Sequence, residues 1–325
     1  MHGEVRRVSQ NDRLSVVVLG SGGFVGRHVC EAFTDRGARV LGVARSVPAP
    51  GTAPPTVPLD LSSAPPEKVA ALLREHRADT VVNAAGAVWG VTQEQLFQGN
   101  VELTRNLVDA VSRLDRRPRL IHLGSVHEYG VGAPGAALAE DHPPHPANPY
   151  GRSKLLATEA VLQATREQRL DGVVLRIANV FGPHAPRGSL LGLIAAHLIA
   201  VARHHGQQPM PALRLSPLRA RRDFVDVRDV GAAVVACATA AFDEPAGGRI
   251  VNIGCGRAVS VRRLVDQLIA LSGLDASVIE EHEAPGERAG AQWQQVDITR
   301  ARRLLHWYPR WPLKQSLRDL LETAG

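Results

Sequence analysis

Two short stretches of this sequence carry residues whose types and spacing suit chemistry. The first is Gly20-Ser-Gly-Gly23-Phe24-Val25-Gly26, directly after the apolar run Ser15–Leu19 and at the opening of a helical pattern. Glycines so placed permit a tight turn, close approach of the backbone to a pyrophosphate, and close packing of helix on strand. The helix start then offers free N–H groups to the anion. The second stretch is Tyr150-Gly-Arg-Ser-Lys154, whose phenol and ammonium share one face of a helix. A nearby ammonium stabilises phenolate and lowers the phenol's pKa, which suits proton transfer near neutrality. Ser125, in Gly124-Ser-Val-His-Glu-Tyr-Gly130, follows another apolar run, and its hydroxyl can hold a carbonyl beside Tyr150.

These groups need a frame that brings them together. Ser15–Leu19, Arg39–Ala44, Thr80–Ala84, Arg119–Leu123, Gly172–Ile177 and Arg249–Ile253 read as short buried strands. Between them lie helical patterns, such as Leu103, Leu107, Val111 and Leu114 on one face. The alternation predicts an α/β fold, a doubly wound parallel sheet with helices on both sides. Residues 1–13 read as a polar extension, 14–180 as a dinucleotide-binding domain, and 181–325 mainly as a smaller α/β substrate-binding lobe. Segments near 220–255 are expected to return to the main sheet. Val47–Pro58, with five prolines, reads as a loop, as does Gly130–Pro149.

Bulk properties narrow the function. The chain has 325 residues, 44% of them apolar and 22% charged, which fits a globular protein. The net charge of +6 is spread as scattered Arg without aromatic interleaving, so a nucleic-acid partner is not expected. No apolar run reaches the roughly 20 residues of a membrane span, and the first residues lack a signal-peptide core. Cys30, Cys237 and Cys255 form neither a metal pair nor a disulfide framework, and a cytoplasmic location is expected. No metal is expected. His142 and His145 are separated by prolines without an acidic partner at ligand spacing, and His204–His205 ends an apolar helical run.

The ordered set of motifs resembles the extended short-chain dehydrogenase/reductases, and more narrowly the NAD-dependent epimerase/dehydratase family of nucleotide-sugar enzymes. It comprises the glycine turn, Asn83-Ala84-Ala85-Gly86, Ser125, Tyr150 and Lys154. Further along come Arg176-Ile-Ala-Asn179, Arg222-Asp-Phe-Val-Asp-Val-Arg-Asp229, Val251-Asn-Ile-Gly254 and Leu304-Leu-His-Trp307-Tyr-Pro309. The resemblance implies a Rossmann fold in which Gly20, Gly23 and Gly26 cradle the cofactor pyrophosphate, with Phe24 and Val25 also binding the cofactor. It places Asp60 and Leu61 beside the adenine, Ala84, Ala85 and Gly86 along the cofactor, and Lys154 on the nicotinamide ribose. Tyr150 is then the acid/base and Ser125 its partner on the carbonyl, while Asn179 and Arg222 contact a sugar-nucleotide diphosphate. His127 is a further substrate candidate. For His127 and Glu128 a surface-loop role is an equal reading.

The family's acidic residue for the ribose falls on Ala44 here, and Arg45 follows, which favours NADP(H) over NAD(H). The plain alternative is that Arg45 only begins the proline-rich loop. The family's Arg before Pro-Gly is Ala284 in this chain, with Arg288 as its possible substitute. The dehydratase acid is absent, since Val126 and His127 stand there, so dehydration is disfavoured. Three readings follow from the resemblance. The first is reduction of a nucleotide-activated 4-keto-6-deoxyhexose, as in GDP-4-keto-6-deoxymannose reductase-like enzymes. The second is 4-epimerisation with tightly bound NAD, and the third a non-catalytic NAD(P) sensor. The resemblance also implies a homodimer through helices near Thr92–Leu114 and Tyr150–Glu167.

Overall fold

The computed structural model describes residues 13–47, 54–203, 212–242, 246–274, 276, 278–281 and 293–324. Its centre is a parallel sheet of seven strands in the order β3-β2-β1-β4-β5-β6-β10. These are β1 (Ser15–Leu19), β2 (Arg39–Ala44), β3 (Thr56–Pro58), β4 (Thr80–Asn83), β5 (Arg119–Ser125), β6 (Asp171–Ile177) and β10 (Ile250–Ile253). β1, β4 and the body of β5 are buried on both faces, and they therefore read as continuous apolar runs without alternation. The order reverses at β1, where the chain crosses from β3 on one side to β4 on the other. Clefts outside the carboxyl ends of strands at such a point are where ligands bind in open α/β sheets.

Helices cover both faces. α1 (Phe24–Thr34) and α7 (Val227–Thr239) bury Val29, Phe33, Val230, Ala233 and Val234 against one face. α2 (Pro66–Glu75), α4 (Leu103–Ser112) and α5 (Pro149–Arg166) bury Leu73, Leu107, Val111 and Val161 against the other. A short α3 (Gln93–Leu96) runs into α4 through a π-helical turn at Phe97–Glu102. Such turns recur at functional sites because they re-aim side chains.

The later chain builds smaller sheets. β9 (Arg221–Asp226) is the hub, pairing with β7 (Asn179–Phe181), β11 (Ala258–Ser260) and β13 (Trp293–Gln294), while β8 (Leu213–Leu215) pairs with β12 (Val278–Glu280). A third apolar cluster joins α6 (Leu190–Arg203), α8 (Val261–Ser272) and α10 (Leu313–Thr323), and Phe24 of α1 packs against it. The short α9 (Thr299–Leu305) lies near β10.

One expectation for the backbone is corrected. Val47–Pro58 is not loop to its end, because Thr56–Pro58 pairs with β2 as an edge strand. Prolines are tolerated there because an edge strand leaves one row of backbone groups outside the ladder. The Gly130–Pro149 stretch contains turns and one isolated bridge, Leu138 to Val296. Of the described residues, no helix is long and apolar enough to cross a membrane.

Candidate active site

The glycine turn closes at the end of β1. Gly20 has φ +79°, and a Cβ there would lie 2.7 Å from the Ala85 nitrogen. A Cβ on Gly26 would lie 2.1 Å from the Gly20 carbonyl oxygen, so no larger residue fits this crossing of turn and helix. Gly23 N–H donates to Gly20 O at 2.9 Å, and α1 begins with no side-chain cap. Its first N–H groups are therefore left for an anion. The buried Ser21 hydroxyl has no hydrogen-bond partner. These features fit a dinucleotide, with Ala84, Ala85 and Gly86 at the end of β4 forming the neighbouring wall.

Along the expected adenosine side, Ala44 ends β2 and Arg45 is exposed. Asp60 is exposed and its Oδ1 accepts both the backbone N–H and the hydroxyl of Ser62, at 3.0 and 2.7 Å. Those bonds hold its carboxyl below the usual range, and the Arg45 charge adds to this. Leu61 is buried in the core beside it.

β5 and α5 bring the chemical groups together. Asn148 caps α5, its Oδ1 accepting Gly151 N–H at 2.8 Å, and Pro149 occupies the first turn. Tyr150 and Lys154 then share one helical face. Tyr150 is half-buried, and the Ser125 side chain lies near enough to its phenol to pull the pKa down. Ser125 Oγ also accepts His127 N–H at 3.2 Å, which leaves its own proton for the phenol or a carbonyl. Burial is the main force on the phenol and pushes it up to about 12.

The expected influence of Lys154 on Tyr150 is corrected. The buried Lys154 ammonium donates to the Leu123 carbonyl and is not among the groups that shift the phenol. The charge that does act on Tyr150 is Glu128, which raises it. Lys154 is itself pulled down to about 8 by burial, with Glu128 opposing. The surface-loop reading of Glu128 is also overturned, since its side chain is completely buried. The 3-10 turn Val126–Glu128 tucks inward, because Glu128 Oε1 closes a capping box on Ser125 N–H at 2.8 Å.

His127 lies edge-on to Tyr150, with ring centroids 5.7 Å apart. Burial, then the charge of Arg222, lowers its pKa to about 4, so it is neutral at physiological pH. Arg222 thus faces the same site from β9. Its Nε is buried without a partner, and among the described residues no carboxylate pairs with it. Burial alone lowers its pKa. Asn179 is turned to structure: its amide donates to Asp223 O at 2.9 Å and Gln294 Oε1 at 3.0 Å, tying β7 to β9 and β13. Arg288, and with it Ala284 to Gly286, lies outside the described residues, as do His204 and His205.

Two contributors escaped the reading of the sequence. Asn100, in the π-helical turn, is buried and clamps the loop after β4 through both Ala87 backbone groups. It also donates to Ser153 Oγ at 2.9 Å, joining that loop to α5. The only sequence signal was a lone Asn within a helical run. Gln294 is buried opposite Arg222 in the β9–β13 ladder, and its Nε2 has no partner. A separate cavity of about 700 Å³, lined by Cys255, Arg257, Arg302 and Tyr308 among others, contains none of the groups above. Burial raises the Cys255 thiol to about 12, which makes it a poor nucleophile.

A parallel sheet in this order, with its glycine turn and its Ser–Tyr–Lys group at the strand ends, defines a dinucleotide-dependent enzyme of the Rossmann class. The chain belongs to the NAD dependent epimerase/dehydratase family, whose sequence profile matches residues 16–254. It is 44% identical over 305 residues to dTDP-6-deoxy-L-talose 4-dehydrogenase (NAD(P)(+)) of Kitasatospora kifunensis, with 94% of each chain covered. It is 30% identical to UDP-glucose 4-epimerase of Azospirillum brasilense, over 91% of this chain and 87% of the other. Among solved structures it is similar to MoeE5 in complex with UDP-glucuronic acid and NAD. The TM-score is 0.80 at 25% identity, over 95% of this chain and 98% of that one.

Proposed function

We propose that this enzyme interconverts a 4-keto-6-deoxyhexose and its C4 alcohol on a nucleoside diphosphate, running as a reductase with NADPH. The observation that carries this is the set Ser125, Tyr150, His127 and Arg222: a proton-donor pair, a neutral imidazole edge-on to the phenol, and a guanidinium near enough to depress that imidazole, its Nε without a partner. A carbonyl is held by the first pair and a diphosphate by the last, since Arg pairs bidentately with phosphate oxygens. The similarity to a dTDP-6-deoxy-L-talose 4-dehydrogenase makes dTDP the first nucleotide to test.

A bound nicotinamide cofactor would supply or accept the hydride at C4. Everything else falls to the chain. Gly20, Gly23 and Gly26, with the start of α1, would hold the pyrophosphate, and Lys154 the nicotinamide ribose. Ser125 donates to the C4 oxygen and fixes the carbonyl. Tyr150, protonated with its pKa near 12, gives its proton to that oxygen as the alcohol forms. His127 stays uncharged beside it. Val126 and His127 stand where a dehydratase needs an acid, so no elimination accompanies the reduction. The test is oxidation of NADPH, followed by its absorbance, with a panel of nucleotide 4-keto-6-deoxysugars. Absence of turnover with every member overturns the reading. A second reading, 4-epimerisation, is favoured by the likeness to UDP-glucose 4-epimerase. It requires NAD that stays bound through purification and interconversion of C4 epimers without net cofactor consumption.

Preference for NADP(H) rests on Arg45 beside Ala44. Replacing Arg45 by Ala is expected to cut kcat/KM for NADPH by about tenfold, the value of one charge-assisted hydrogen bond, and to leave NADH unaffected. Equal losses with both cofactors would assign Arg45 to the loop instead. We also propose a homodimer through the outer faces of α5 and of α4 with the π-helical turn before it, where Leu156 and Phe97 are exposed. Sedimentation of the wild type as a monomer at micromolar concentration would refute it.

A further inference from the structure

The carbonyl chemistry above makes no use of Glu128, yet the site is built around it. Its carboxylate is fully buried and both oxygens are engaged. Oε1 accepts Ser125 N–H at 2.8 Å and the Thr158 hydroxyl at 3.1 Å, and Oε2 accepts Arg176 Nε at 2.8 Å. Arg176 in turn lies over the Tyr129 ring, 4.4 Å from its centroid. A Cβ on Gly124 would stand 2.7 Å from Oε1, so the carboxylate fills the room left by the missing side chain. This explains the Gly-Ser-x-x-Glu spacing as one unit.

A buried ion pair of this kind seldom stabilises a fold more than apolar residues of the same volume would. Its position gives it another effect. Thr158 lies one turn beyond Lys154 on α5, so the carboxylate meets the face that carries the ammonium. We propose that Glu128 is a positioning residue: the fixed counter-charge that keeps Lys154 an ammonium and seats the Ser125 amide. The proposal rests on the reading of Tyr150 and Lys154 given above, and it holds for reduction and epimerisation alike.

The groups that face this pair come from every neighbouring element. His122 on β5 is neutral, held well below its ordinary pKa by burial and then by Lys154. Arg176 comes from β6, Tyr129 from the turn after β5, and Tyr150 from α5. Burial draws Lys154 down and Glu128 opposes it; Glu128 also raises Tyr150. Removing the negative charge therefore lowers both pKa values. Reduction needs the ammonium and the protonated phenol. The ammonium, near 8, sets the alkaline limb while the phenol stays far above it, so loss of Glu128 brings that limb to lower pH through Lys154.

The test is Glu128→Gln, which keeps an oxygen acceptor for Ser125 and Thr158 and loses the charge. NADPH binding, read by cofactor fluorescence, and turnover of a keto-sugar are followed against pH. In the wild type, affinity is expected to hold to about pH 8 and fall above it. In the variant both alkaline limbs are expected roughly one pH unit lower, with acid-side affinity unchanged. Glu128→Asp, which retains the charge, is expected to restore the limbs while turnover stays reduced. Limbs that coincide with wild type, with only thermal stability lowered, would overturn the proposal. If Glu128→Gln does not fold, the wild-type titration decides: affinity already falling below neutrality overturns it. NADPH binding with the expected limb but no turnover of any keto-sugar would sink the ketoreductase reading and leave this proposal standing.

Discussion

Tyr150→Phe is expected to reduce turnover of the keto-sugar by about 10²–10⁴-fold, the usual contribution of a positioned proton donor. NADPH affinity and the melting temperature should stay at wild-type values. The ring, and with it the edge contact to His127, is retained, and only the hydroxyl beside Ser125 is lost. The pH dependence has a definite sign. The phenol is raised to about 12, so the acid that reduction needs is present throughout the physiological range. Oxidation of the alcohol needs the phenolate and should quicken as pH rises. The alkaline limit on reduction then belongs to Lys154, near 8, and not to the phenol. A Phe variant that retains most of its turnover would remove Tyr150 from the chemistry and would call for another proton donor in the site.

Arg222→Ala should act on binding. The KM for the nucleotide sugar is expected to rise about 10- to 100-fold, roughly 1.5–3 kcal/mol for hydrogen bonds from a charged donor, with a smaller change in kcat. Lys at this position should rescue poorly, because a point charge cannot reproduce the planar fork. Stability separates this from a structural role. Arg222 Nε is buried without a partner, so its removal relieves a cost and should leave the melting temperature unchanged or slightly higher. A marked loss of stability with unchanged KM would place Arg222 in the architecture of β9. Loss of its charge should also raise the pKa of His127 from about 4, because Arg222 is one of the two causes of that depression.

The linear chain already displayed the parts that local rules govern. Strands buried on both faces are written as unbroken apolar runs, and β1, β4 to β6 and β10 were legible for that reason. β3 was not, because three residues ending in proline look like loop until β2 is present to pair with them. The glycine turn, the Tyr–Lys spacing on one helix and the serine after β5 were visible because each lies within a few residues of chain. Arg222 was legible only through its family motif, whereas Asn100 and Gln294 gave no usable sign. Their partners, at Ala87 and Ser153 and at Asn179, are distant in the chain.

What the sequence determined by itself was therefore the architecture, the family and the candidates for the reacting groups, since all of these depend on short-range period and spacing. Only the tertiary structure decided the electrostatics. Glu128, on paper a residue of a polar turn, is fully buried against Arg176 and Thr158, elements far away in sequence. Lys154, expected to lower the tyrosine pKa, is instead bound to the Leu123 carbonyl, and burial dominates both groups. Burial and the approach of distant charges arise from packing three elements together, and no spacing along one of them encodes the result.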